Sequence, residues 1–249
     1  MLKWNLLAET RTPDGCRLGL FEHDSEYVLR VDGRELMSNR RHASELRLGV
    51  IGGLAAASPG RRVLIGGLGL GFTLRGVLAH AAPDTEVVVA ELMPEIITWN
   101  ARSDWPLAAD ALADPRTRVA LGDVGARIAE AADGAVPRYD AILLDADNGT
   151  TPMMTEGNRA LYRTDGVRRA RAALNPGGLI AYWSAVPEPA FEKLLRREGL
   201  KVETEFVRAW GTGGPRHAIM IARRGGASGP PTLAHPGSRS AGSRPRGSR

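Results

Sequence analysis

Val63-Leu64-Ile65-Gly66-Gly67-Leu68-Gly69-Leu70-Gly71 decides how the rest of the chain is read. An apolar strand runs straight into three alternating glycines, Gly67, Gly69 and Gly71. Glycine at these places lets the backbone take positive φ and approach a ligand closely, and the next segment, Phe72 to Ala81, can open a helix over the turn. This is the signature of a nucleotide-binding turn at the end of a buried strand, although a plain glycine-rich connection between strand and helix would look the same.

Spacing narrows the nucleotide. A dinucleotide fingerprint wants G-x-G-x-x-G, and the sixth position counted from Gly67 is Phe72. G-x-G-x-G after a strand resembles instead the turn of class I S-adenosylmethionine (AdoMet) enzymes, where it faces the amino-acid part of the ligand.

Outward from this turn the chain alternates strand-like and helix-like stretches, as in a doubly wound, mostly parallel sheet. Strands are expected at Arg62 to Ile65, Glu86 to Ala90, Arg118 to Leu121, Ala141 to Leu144, Leu179 to Trp183, Val202 to Ala209 and His217 to Ala222. Helices are expected at Phe72 to Ala81, Pro94 to Ser103, Val124 to Ala132, Asn158 to Leu174 and Glu188 to Glu198. Before it, short strands broken by turns at Pro13-Asp14-Gly15 and Asp32-Gly33 read as a small antiparallel sheet, and Ala43 to Ala57 as a linking helix. The expected division is therefore residues 1–41 for the small sheet, 42–60 for the linker helix, 61–224 for the α/β domain and 225–249 for a tail.

The chain has 249 residues, enough for one α/β domain with a small appendage. Its formal charge of +5 suggests nucleic acid until it is located. Arg239, Arg244, Arg246 and Arg249 lie in the Gly-, Ser- and Pro-rich tail, which has no acid, and without these four the rest is near +1. We therefore expect a disordered basic extension and no nucleic-acid arm. Cys16 is the single cysteine, so an intramolecular disulfide is excluded. With no apolar leader or membrane-length apolar run, a soluble, cytoplasmic protein is expected. His42 and His217 have no second ligand at metal spacing, and no metal is assigned.

In an open α/β sheet the ligand sits beyond the carboxyl ends of the strands. Four such ends carry polar chemistry. The glycine turn is the first. Glu91 closes the second, where both oxygens of a carboxylate could accept from ribose hydroxyls, or where it is simply a surface acid. Gly122-Asp123 closes the third: Asp123 is suited to accept from an adenine amino group, to cap the helix starting at Val124, or to do both. The fourth is the most polar, with Asp145, Asp147 and Asn148 after Ala141 to Leu144, more than an Asx-type turn requires.

These four ends in this order resemble the spermidine synthase (polyamine aminopropyltransferase) family, across most of residues 20 to 185. The family's Tyr-Asp…Asp segment corresponds to Tyr139 to Asp145, and its Leu-Asp-Gly to Val31-Asp32-Gly33. The resemblance implies a transferase with a small-molecule acceptor and self-association as dimer or tetramer. It implies that Glu91 holds the ribose and Asp123 the adenine, and that Asp145 orients or deprotonates the attacking amine.

The departures sort by chemistry. The family's turn reads Gly-Gly-Gly-Asp-Gly-Gly, and its Asp pairs with the aminopropyl ammonium of decarboxylated AdoMet; Gly69 stands there. Its glutamine falls on Leu36 and its Asp-Glu pair on Arg41-His42, so a diamine would meet positive charge, and Arg40 or Arg41 either meets an anionic group or belongs to a solvated turn and helix start. Its second catalytic-loop Asp falls on Asn148, beside Asp147. The adenosine-facing positions are kept and the amine-facing ones are not. Three readings follow: methyl transfer from AdoMet, slightly favoured; aminopropyl transfer from decarboxylated AdoMet to a polyamine; and a nucleoside-binding protein without catalysis. Trp99, Trp105 and Trp183 are candidates either for the pocket wall or for the core.

Overall fold

The computed structural model describes residues 4–145, 156–210 and 213–226. Asp147, Asn148 and nearly all of the tail lie outside the described residues.

The first four strands, β1 (Asn5–Arg11), β2 (Arg17–His23), β3 (Glu26–Val31) and β4 (Arg34–Ser38), form an antiparallel meander in sequence order. Helix α1 (Ala43–Ala55) leads from it into a seven-stranded sheet. That sheet comprises β5 (Arg62–Gly66), β6 (Glu86–Glu91), β7 (Thr117–Leu121), β8 (Tyr139–Leu144), β9 (Leu174–Ser184), β10 (Leu200–Trp210) and β11 (Gly213–Arg224), in the spatial order β10-β11-β9-β8-β5-β6-β7. Strands β7, β6, β5, β8 and β9 run parallel, and β11 is antiparallel to both its neighbours. The strand order reverses between β5 and β8, so the crevice above these two is the topological switch point at which open α/β sheets bind ligands. Apolar runs such as Val-Leu-Ile and Ala-Ile-Leu-Leu form these central strands because both their faces are covered.

Six further helices link the strands: α2 (Phe72–Leu78), α3 (Pro94–Asn100), α4 (Ala109–Leu112), α5 (Val124–Ala132), α6 (Thr164–Ala173) and α7 (Pro189–Arg197). The helix expected over 158–174 is instead a 3₁₀ segment, Glu156–Tyr162, followed by α6. The break falls at Arg163, which is extended, and Gly166 lets the chain fold back closely there, since a Cβ on it would lie 2.1 Å from the Ala160 carbonyl oxygen. Leu174 then already pairs with Tyr139 across β8 and β9. Helix α4 was not expected; four residues are too few to show a period.

One core joins the two sheets. Leu18, Leu20 and Leu29 of the small sheet share a buried cluster with Leu48 and Ile51 of α1, Leu68 and Leu70 of the glycine turn, and Leu143 of β8. Helices α1 and α2 meet backbone to backbone: a Cβ on Gly76 would come 2.5 Å from the Leu46 carbonyl oxygen and 2.8 Å from the Gly49 Cα. This contact sets the start of α1 against the glycine turn. Gly76→Ala is therefore expected to cost about 1–3 kcal/mol of stability, measured by urea unfolding, despite alanine's better helix propensity. A neutral or stabilised variant would show that the helices can separate freely.

Candidate active site

Four strand ends converge. Gly66 is paired with Ala90 on one side and Leu144 on the other. Backbone bonds then carry the registration beyond the strands: Gly67 N donates to Ala90 O (2.9 Å), Asp145 N to Gly66 O (3.0 Å) and Gly122 N to Glu91 O (2.8 Å). The glycine turn, Glu91, Gly122-Asp123 and Asp145 thus lie along one edge of the sheet.

Gly67, Gly69 and Gly71 all take positive φ, at 95°, 53° and 80°. Glu91 lies beneath them, only 6% exposed. Its Oε2 accepts from Leu68 N and its Oε1 from Met93 N, both at 2.8 Å. Burial pushes its carboxyl up, while the amides of Met93, Leu68 and Leu92 pull it back down. Both oxygens therefore brace the turn, and each keeps a lone pair for a further donor. Glu91→Ala would leave two buried amides without partners. We expect about 2–4 kcal/mol of lost stability together with weakened nucleotide binding, read by thermal melts with and without nucleotide; unchanged binding would remove Glu91 from the site.

Asp123 caps α5, accepting from Gly125 N at 2.9 Å, and is exposed. The capping reading accounts for one of its oxygens. Asn100 was missed in the sequence because an amide inside a helix carries no signal; it is buried and donates to Gly69 O (2.8 Å) and Ile96 O (2.9 Å). Its Oδ1 and the Trp183 Nε1 are buried without a partner among the described residues. Trp99 belongs to the core, and Trp105 lies partly buried under Arg102.

Asp145 turns its carboxyl inward, where Thr73 Oγ1 of α2 donates to Oδ2 at 2.7 Å. Burial raises its proton affinity well above the usual carboxylate range, and the neighbouring Glu45 raises it further. Glu45, at the start of α1 and 4% exposed, is an acid the sequence reading overlooked. Burial raises it too, opposed by the Ser44 hydroxyl and its own amide. Asp140, at the opposite end of β8, is structural: it accepts from Arg61 Nη1 (2.8 Å), Arg62 N (2.9 Å) and Asn175 Nδ2 (3.1 Å).

The ion pairs of Arg40 and Arg41 agree with the solvated turn and helix start. Arg41 pairs with Glu35 and faces the Trp210 ring, while Arg40 pairs with Glu26 and donates to Asp24 O. His42 stacks on Phe72 at 3.9 Å. The arginine charges are thus spent locally, and the side chains beside Asp145 are acidic.

No family model matches the chain. A polyamine aminopropyltransferase from Saccharolobus islandicus is 30% identical over 139 residues, 56% of this chain and 44% of that protein. Spermidine synthase 2 of Arabidopsis thaliana is 28% identical over 127 residues, 51% of this chain and 34% of that protein. The matched stretch is less than half the length of each. In structure, the chain superposes on the spermidine synthase of Thermotoga maritima with a TM-score of 0.69 at 19% identity, covering 90% of this chain and 75% of that one. A spermidine synthase in complex with the transition state analogue AdoDATO gives the same TM-score at 17% identity, covering 90% and 74%. The chain is thus similar to aminopropyltransferases in sequence over half its length and shares the fold of spermidine synthases over nine-tenths of it: a mostly parallel seven-stranded sheet preceded by a small antiparallel one.

Proposed function

We propose that the protein is a transferase that alkylates an amine with the group carried by an AdoMet-type sulfonium nucleotide, and that aminopropyl transfer from decarboxylated AdoMet to a polyamine is its reaction. The observation that carries this is the acidic setting of Asp145, one backbone hydrogen bond from the glycine turn. A cationic amine is drawn to such a site, and the names of the curated relatives agree with an amine acceptor.

The nucleotide fits the residues present: three positive-φ glycines admit close approach, and Glu91 keeps lone pairs on both oxygens for ribose hydroxyls. An amine of pKa about 10 is protonated at neutral pH, and only its neutral form can attack. Asp145 takes that proton; the freed lone pair then forms the C–N bond as the C–S bond breaks and the thioether nucleoside leaves. Positioning supplies the rest, since the sulfonium is already a good leaving group.

Methyl transfer from AdoMet is kept as a second reading on one observation. Gly69 carries no acid, and the space a side chain would enter is taken by Met37, whose Sδ would lie 2.7 Å from a Cβ there. The test is the nucleoside product, read by mass after incubation with each donor and a panel of di- and polyamines. Methylthioadenosine supports aminopropyl transfer and adenosylhomocysteine methyl transfer. Nucleotide binding with neither product would establish the non-catalytic reading.

A further inference from the structure

Glu45 lies outside every motif, yet it is buried and hydrogen-bonded close to Asp145. Thr73 Oγ1 lies 2.7 Å from Asp145 Oδ2 and 3.1 Å from Glu45 O, so a single hydroxyl separates the start of α1 from the Asp145 carboxyl. Ser44 Oγ donates to Glu45 Oε2 and lies 2.8 Å from His217 Nδ1 of β11. Ser44 has one proton, and it goes to Glu45. His217 therefore donates Nδ1–H to Ser44, and the chain His217, Ser44, Glu45 ends in a carboxylate with its donors in place. The His217 ring is held edge-on against Trp183, centroids 4.8 Å apart, and burial lowers its proton affinity, keeping it neutral.

We propose that Glu45 is a positioning residue for Asp145: fixed by Ser44 and His217, its negative charge keeps Asp145 able to hold the proton that the amine gives up. The proposal deepens the amine-alkylation reading and rests on it for the identity of the proton donor.

The distribution of donors decides which acid is charged. Among the described residues, Glu45 has the Ser44 hydroxyl and its own amide, whereas Asp145 has the Thr73 hydroxyl. Thr73 bridges the Asp145 carboxyl and the Glu45 backbone, and two buried acids whose charges repel do not both ionise readily, so the pair carries one charge, resting on Glu45, and the proton stays on Asp145. An ammonium arriving at the pair displaces that proton to solvent, and the emptied Asp145 then takes one proton from the ammonium, freeing the lone pair that attacks. Other charges on the packed elements are engaged elsewhere. Arg47 of α1 is bidentate to Glu205 of β10, Arg75 of α2 pairs with Asp110, Arg216 of β11 lies over Phe206, and Asp140 is at the far end of β8. Tyr182 of β9 packs in the cluster on the other face of the sheet.

The test uses the full chain with ¹³C-labelled aspartate, the Asp145 signal being assigned by its loss in Asp145→Asn, alongside the pH profile of kcat/KM. In the unmodified protein Asp145 should titrate well above the usual carboxylate range, and the acid limb of the profile should follow it. In Glu45→Gln both should move to lower pH by about one unit or more. His217→Gln, which only loosens Glu45, should move them the same way by less, and it answers the question if Glu45→Gln fails to fold. A uniform loss of rate with an unmoved titration would make Glu45 merely structural and overturn the proposal. If the unmodified protein alkylates no amine, the functional reading fails, while the titration still decides whether Glu45 governs Asp145.

Discussion

Asp145→Asn is expected to lower turnover about 10²–10⁴-fold while leaving nucleotide affinity within about tenfold. Asparagine has nearly the shape of aspartate, and its carbonyl oxygen can still accept from Thr73 Oγ1, so the contact to α2 survives. Its amide cannot take a proton. The attacking amine must then lose its proton to water in a site built to keep the group charged, which raises the barrier without touching the glycine turn or Glu91. Stability provides the control. Because burial raises the folded-state proton affinity of Asp145 above its unfolded value, the stability this group allows is fully present below the unfolded value, about pH 4, and is lost as pH rises through the raised folded value. Asparagine carries no such loss. The variant should melt like the original in acid and at a higher temperature at pH 8. A variant that keeps turnover within tenfold would exclude Asp145 as the proton acceptor, and one that melts lower at pH 8 would mean that the loss of rate came from misfolding.

What the sequence disclosed divides along the range of the interactions involved. The parallel strands were legible because each is a short buried run, and the strand ends followed from them: Gly66 to Gly71, Glu91, Gly122-Asp123 and Asp145 come together because β5, β6, β7 and β8 are hydrogen-bonded neighbours in register. The antiparallel meander was legible from its turns. Glu45 was not, because its neighbourhood is made by elements far apart in the chain. The Gly49–Gly76 contact brings α1 against α2, and β11 supplies His217, 173 residues after Ser44. The partners of Arg40 and Arg41 were not legible for the same reason. Arg40 and Arg41 look like a basic patch in one dimension, but β3 and β4 place Glu26 and Glu35 beside them. The break after Tyr162 was hidden because a 3₁₀ turn and an α-helix share composition, and the close approach that Gly166 permits to Ala160 is a contact made only in the folded chain.

The choice of transferred group comes down to Gly69, and a paired substitution should reverse whatever preference it sets. At φ 53° the residue lies in the left-handed region that aspartate tolerates better than most side chains. The backbone therefore does not forbid the acid that spermidine synthases carry in their turn. Met37 crowds the position instead: its Sδ and Cε, the far end of a flexible side chain, would lie 2.7 and 2.8 Å from a Cβ there, and its sulfur accepts from Leu70 N at 3.1 Å. Gly69→Asp alone must push the thioether aside and break that contact, loosening the turn and weakening binding of both donors. Met37→Ala makes the room. In the double variant the new carboxylate faces the end of the nucleotide where AdoMet has a carboxylate and decarboxylated AdoMet has none, so like-charge repulsion acts on one donor only. The affinity ratio, decarboxylated over intact, should rise at least about tenfold relative to Met37→Ala alone, which corresponds to about 1.4 kcal/mol. Calorimetric titration of both donors into the three variants reads this directly. A ratio that does not change between Met37→Ala and the double variant would mean that the glycine turn does not face the amino-acid end of the nucleotide, and both the aminopropyl and the methyl readings would lose the feature that separates them.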